Sequence, residues 1–243
     1  METALATAAP DMLENLRNYA KNVDSSQFPT RRPIFRKWQE MDYAAARVLV
    51  WEAYEARAEE IRAIKPGFEW RFSEAEKVLL ADLVKYFVND PTGRLNIHKG
   101  LWVYGGYGVG KTEFFQIVSE VSKLAGWSKQ FEFCDLSEIH DRAEAQKDYD
   151  PVFSQKGGHR CFDEFGARPR LLSRWGNAIN IPEAIVELRY RNFQRFGQIT
   201  HFVSNLAPNS AGEIVGTRAL DRLKDMCQSV YWPGESKRGQ HVG

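Results

Sequence analysis

Read for the spacing of its apolar positions, the chain changes character near residue 90. Before that point the pattern is helical. "DMLENLRNYAKNV" (Asp11–Val23) sets Leu13, Leu16 and Tyr19 on one side of a short helix, and Pro29 and Pro33 break the stretch after it. Met41–Ile64 holds strong helix formers with no breaker before Pro66-Gly67, which predicts a long helix. Its Tyr43, Val48, Val50, Trp51, Tyr54 and Ile61 do not fall into one stripe, so burial on more than one side is expected, with another chain as one candidate for the second side. In "FSEAEKVLLADLVKYFVND", Ser73 stands three residues before Glu76, the pattern of a capping box. Leu79, Leu80, Leu83, Val84, Phe87 and Val88 then recur at helical spacing until "NDPTG" stops the helix.

After residue 90, short apolar runs alternate with amphipathic stretches. Strands are expected at Leu101–Tyr104, in "KQFEFCDL" (Lys129–Leu136), before Asp163, in "QITHFVSNL" (Gln198–Leu206) and in "CQSVYW" (Cys227–Trp232). Helices are expected from Lys111 to near Gly126, in "IPEAIVELRYRNFQRF", and in "IVGTRALDRLKDM" (Ile214–Met226) from Thr217. The polar crossover "SEIHDRAEAQKDYDPVFSQKGG" has room for a helix and a mobile loop. Such alternation implies a parallel α/β sheet that takes its ligand at the C-terminal ends of the strands. The expected organisation is a helical region over 1–90, a candidate for partner binding, and one α/β unit over 91–243.

The chemistry concentrates in "LWVYGGYGVGKTEFF", a strand, a glycine-rich loop and a helix start. Gly105, Gly110, Lys111 and Thr112 fill G-x-x-x-x-G-K-[ST], the phosphate loop of nucleotide-binding ATPases, with Gly106, Tyr107, Gly108 and Val109 between them. Glycines let the backbone wrap an anion with its N–H groups turned inward, and the helix start adds its own free N–H groups and dipole. Lys111 would neutralise the terminal phosphates of ATP, and the Thr112 hydroxyl would complete a Mg²⁺ shell. About fifty residues later "HRCFDEFG" supplies Asp163 for the metal and Glu164 as the base that polarises water, although His159 and Arg160 are polar where a buried strand would be apolar. Asn205, at the end of its strand, falls where an amide would approach the γ-phosphate. Arg218 and Arg222 lie four apart and share a helix face. Arg222 reads either as paired to a nearby acid or as an arginine finger entering a neighbour's site.

Composition narrows the class without choosing the function. The 243 residues are 43% hydrophobic and 27% charged, as in ordinary globular chains, and the net charge of +1 leaves only local patches as a nucleic-acid signal. Two such patches are "RRPIFRK", with Arg31, Arg32, Arg36 and Lys37, and the helix carrying Arg189, Arg191 and Arg195. Cys134, Cys161 and Cys227 are odd in number and sit in apolar contexts, which fits buried thiols. No apolar run approaches the ~20 residues of a membrane span, and no signal core is visible, so the expected location is cytoplasmic, away from membranes.

Taken together, "KGLWVYGGYGVGKT", "CFDEFG", "THFVSNL", "GTRALDRLKDM" and "GESKR" resemble the DnaC-type helicase loaders and IstB-type transposase helpers, a subgroup of AAA+ ATPases. The resemblance runs from about residue 77 onward. It implies a P-loop AAA+ core without the usual helical lid, and a Mg·ATP-hydrolysing protein that forms homo-oligomers. It also implies DNA, single-stranded by preference, and a replicative helicase or a transposase as partners. Lys111, Thr112, Asp163, Glu164 and Asn205 would act within one chain, with Arg222 as the finger given to a neighbour and Arg218 supporting it. The alternatives are an IstB-type transposition helper, a small-molecule P-loop kinase that needs no such arginine, and an ATP-switched binding protein with little turnover.

Overall fold

A computed structural model describes residues 41–166, 171–174 and 177–237. The expected helix at Asp11–Val23 and the basic segment after it lie outside the described residues. The described chain begins with helix α1 (Tyr43–Arg62) and helix α2 (Glu74–Phe87). Strand β1 (Gly100–Tyr104) leads through the glycine loop into α3 (Lys111–Leu124), then β2 (Phe131–Asp135) and α4 (Leu136–Gln146). A short helix α5 (Asp150–Phe153) and one 3₁₀ turn precede β3 (His159–Asp163). A two-stranded hairpin, β4 (Leu171–Arg174) and β5 (Asn177–Asn180), runs into α6 (Ile181–Phe196). The chain closes with β6 (Thr200–Ser204), α7 (Gly212–Val215), α8 (Thr217–Met226) and β7 (Cys227–Tyr231).

Five strands form one sheet in the order β2-β3-β6-β1-β7, and every pairing in it is parallel. Alternation along each strand divides the core between the two faces. Leu101, Val103, Cys161 and Val203 pack toward α1, α2 and α3, while Trp102, Phe162 and Phe202 pack toward α4, α6 and α8. Sheet covered by helices on both faces, with a glycine loop between β1 and α3, is the parallel α/β arrangement that the alternation implies.

Two helices show how sequence becomes packing. In α2 the capping box is complete: Ser73 Oγ accepts from the Glu76 N–H at 3.3 Å, and Glu76 Oε2 accepts from the Ser73 N–H at 2.8 Å. In α1 the buried residues are Ala46, Leu49, Val50, Tyr54 and Ala58, a single stripe. Val48 and Trp51, outside this stripe, stay exposed within the single chain. Two of its five residues are alanines, which an apolar-residue pattern underweights.

Candidate functional site

The site starts from the end of β1. The chain leaves Tyr104 through Gly105–Gly110, and Gly110 takes φ +103° to cap α3 without a side chain. Lys111 is the first residue of α3, and its ammonium is buried at the loop. It donates to the Gly105 and Gly106 carbonyls at 2.9 and 2.6 Å and to Asn205 Oδ1 at 2.9 Å. Asn205, just past β6, therefore meets the lysine of the glycine loop directly. Strand order explains this, since β6 lies beside β1 and both end at the same edge.

Asp163 ends β3, one strand further along, and is 6% exposed. The Thr112 hydroxyl donates to its carboxylate, as does the Glu164 N–H. Burial lifts the Asp163 carboxyl above its ordinary range, the Glu164 and Asp135 charges add to this, and the two hydrogen bonds oppose it. Asp135 stands opposite Asp163 in the β2–β3 register. Glu164 is exposed and holds φ +57°, a left-handed conformation that a non-glycine residue seldom adopts, at the point where β3 ends.

These groups surround one cleft of about 660 Å³, within the range of small-molecule sites. The loop from Tyr107 to Thr112, Asp163, Glu164 and Asn205 line its polar side. Ile61, Ile64, Phe68 and Trp70 line the other side, and Lys237 reaches it from beyond β7. A concavity of about 610 Å³ between α1 and α3 includes Glu52, Arg57, Glu113 and Glu120 but none of the loop glycines. Its arginine is already paired, Arg57 Nε to Glu113 Oε1 at 2.5 Å. The chemistry belongs to the first cleft.

The cleft suits a hard divalent cation. Mg²⁺ takes oxygen ligands, commonly one or two carboxylates with phosphate and water, and Asp163 with Thr112 supplies such oxygens. Among the described residues there is no cluster of three or more His, Cys, Asp or Glu that would mark an all-protein metal cage.

Other expected residues fall elsewhere. Arg222 lies on α8, outside the cleft, with its guanidinium paired to Glu187 of α6 and 5.3 Å from the centre of the Tyr190 ring. Of the two candidates on that face, Arg218 is 80% exposed and Arg222 18%. Arg189 corrects the proposed DNA face. It is fully buried, and it donates to Thr200 Oγ1 at 2.8 Å and to the Lys156 and Gly158 carbonyls at 2.9 and 2.7 Å. Arg191 and Arg195 are exposed. The residues that sequence reasoning missed are Phe68, Trp70 and Lys237. The signal available for the first two was an alternating F-x-W-x-F at Phe68, Trp70 and Phe72.

No protein-family model and no curated protein matches the chain. Among solved structures it is similar in fold to DnaI, with a TM-score of 0.48 and 15% identity over 71% of this chain and 88% of that one. It is similar also to the DnaC helicase loader, with a TM-score of 0.47 and 14% identity over 69% of this chain and 95% of that one. AMPPCP-bound DnaA from Aquifex aeolicus gives a TM-score of 0.48 and 12% identity over 67% of this chain and 48% of that one.

Proposed function

We propose that the chain binds ATP with Mg²⁺ in the β1–α3 cleft and hydrolyses it, as an AAA+ accessory factor that acts on DNA in the manner of a helicase loader. One observation carries the nucleotide reading: Lys111, Thr112, Asp163 and Asn205, distant in sequence, meet at the C-terminal edge of the sheet around a glycine loop. The apolar wall of Ile61, Ile64, Phe68 and Trp70 supports a ligand with a flat base rather than phosphate alone. The helicase-loader part rests on the motif resemblance from residue 77 onward.

In this reading Lys111 exchanges the Gly105 and Gly106 carbonyls for phosphate oxygens while Asn205 keeps its ammonium in place. Thr112 and Asp163 hold the metal, whose charge offsets that of the phosphates. Glu164, exposed at the cleft, orients the attacking water. Arg222 completes a neighbouring protomer's site after leaving Glu187.

The test is ATP turnover per protomer across protein concentrations, without DNA and with single-stranded or duplex DNA, beside Arg222→Ala. Turnover that rises with concentration and DNA and collapses in the variant supports the reading. Single-strand preference supports the loader, and duplex preference points to a transposition helper. A rate independent of concentration, with Arg222→Ala fully active, overturns the shared-site reading and directs the search to small phosphate acceptors.

A further inference from the structure

The segment after β7 crosses the phosphate loop and is anchored to the N-terminal helices. Its first contact is the Trp232 N–H, which donates to the Tyr104 carbonyl at the end of β1 at 2.7 Å. The Trp232 carbonyl then passes so close under Gly105 that a Cβ on that glycine would overlap it. At the far end of the segment the Lys237 N–H donates to the Gly108 carbonyl at 2.9 Å. The Lys237 stem lies 3.7 Å from the place where a Cβ on Gly110 would stand. The segment thus touches the loop at its first glycine, in its middle and at its last glycine.

The Lys237 side chain has a fixed anchor. Its ammonium pairs with Glu76 Oε1 at 2.5 Å, and the two side chains are 8% and 3% exposed. It also lies 5.1 Å from the centre of the Phe72 ring. Glu76 is the carboxylate of the α2 capping box, held by the Ser73 N–H and hydroxyl at 2.8 and 2.9 Å. The anchor is therefore rigid on both sides.

The consequence lies in one peptide plane. In a trans peptide the C=O and the following N–H point in opposite directions. With the Gly108 carbonyl held by the Lys237 N–H, the Val109 N–H points the opposite way, away from this segment. We propose that Lys237 is a positioning residue for phosphate: fixed by Glu76, it holds the Gly108–Val109 peptide in the orientation that presents the Val109 N–H to a bound nucleotide. This rests on the phosphate-loop reading of the β1–α3 cleft. The loop is thereby tuned from the N-terminal helices, since the group that fixes Lys237 is the α2 capping box.

The experiment is calorimetric binding of Mg·ATP and, separately, of pyrophosphate to the wild-type protein, Lys237→Met, Lys237→Arg, Glu76→Gln and Lys111→Ala, with melting curves for each. The expected result is an affinity loss of about tenfold in Lys237→Met and in Glu76→Gln, equal for ATP and pyrophosphate, and largely recovered in Lys237→Arg. Glu76→Gln keeps a capping acceptor, so it preserves the helix start where a truncation would not. Lower melting temperatures with unchanged affinities would make the pair merely structural and overturn the proposal. A loss seen with ATP but not with pyrophosphate would also overturn it, by placing the effect at the base. Wild-type protein that binds neither ligand, or Lys111→Ala binding both as well as wild type, would instead bring down the phosphate-loop reading itself.

Discussion

Asp163 and Lys129 are charged groups that the fold holds at a cost, and the two costs have different readings. Because burial raises the Asp163 pKa, its contribution to stability is present below the unfolded pKa and is lost as pH rises through the folded one. At neutral pH the ionised carboxylate therefore destabilises the empty protein, which a cation in the cleft would reverse. Asp163→Asn should raise the melting temperature of the ligand-free chain by a few degrees, about 1 kcal/mol, while weakening Mg²⁺-dependent nucleotide binding. Melting with and without Mg²⁺ checks both halves, and a variant that melts lower in both conditions would contradict it. Lys129 serves no such site. Its ammonium is buried, donates to the Tyr86 carbonyl at 2.8 Å, and lies 3.7 Å from the centre of the Tyr86 ring. Burial lowers its pKa to about 7. Between about 7 and the ordinary lysine value near 10.5, the unfolded chain binds a proton that the folded chain refuses, so stability rises with pH across that window. Lys129→Met should remove this dependence, changing the slope by up to about 1.4 kcal/mol per pH unit, as read by urea unfolding from pH 7 to pH 10.

At the scale of elements, α6 does two jobs that its sequence merges. Arg191 and Arg195 sit within about 40° of each other around a helix, while Arg189 points some 120° or more away, on the side of Ile185 and Val186. The structure uses that difference. Arg189 faces the sheet and gathers the carbonyls of the turn before β3 together with the β6 start, and burial lowers its pKa to about 10. Arg189→Met should cost on the order of 3 kcal/mol in urea unfolding, because several buried carbonyls lose their donor at once. Arg191→Ala should leave stability within about 0.5 kcal/mol. The error in reading Arg189 was one of face, and the periodicity to avoid it was present. Other elements were plain from the start. The capping box at Ser73 and Glu76, the strand Leu101–Tyr104 and the loop to Thr112 carry local signals that need no partner to be seen. The β4–β5 hairpin was not legible, since its strands of four residues each lean on Leu172 packing into the core rather than on any alternation. Nor was the cleft wall of Phe68 and Trp70, which becomes a wall only once α1 and α2 stand beside the loop. Lys237 was visible as part of "GESKR", but its pairing with Glu76 spans 161 positions and depends wholly on the tertiary fold.

For the whole molecule, the parallel sheet gathers nearly every group a nucleotide would meet onto one edge, and leaves Arg222 off it. Within one chain the cleft is lined by Lys65, Lys111 and Lys237, the last paired with Glu76, and Arg222 is committed to Glu187 and Tyr190 on the α6–α8 face. If that arginine serves a neighbour, the cleft and the finger are separable parts of one working site, and each can be supplied by a different chain. Lys111→Ala keeps its finger but loses its own cleft, while Arg222→Ala keeps its cleft but has no finger to give. Each variant alone should lose about 10³-fold or more of ATP turnover. Mixed at equal concentrations, they should recover a substantial fraction of wild-type turnover, because an intact cleft then meets an intact finger at some of the contacts. The recovery should grow as the square of total protein at low concentration, which separates it from residual activity of either variant. A mixture no more active than the sum of its parts, at concentrations where the wild type is fully active, would mean that Arg222 belongs to Glu187 as an ordinary surface pair. The nucleotide cleft would then be the work of a single chain, and the partner of the α6–α8 face would have to be sought elsewhere.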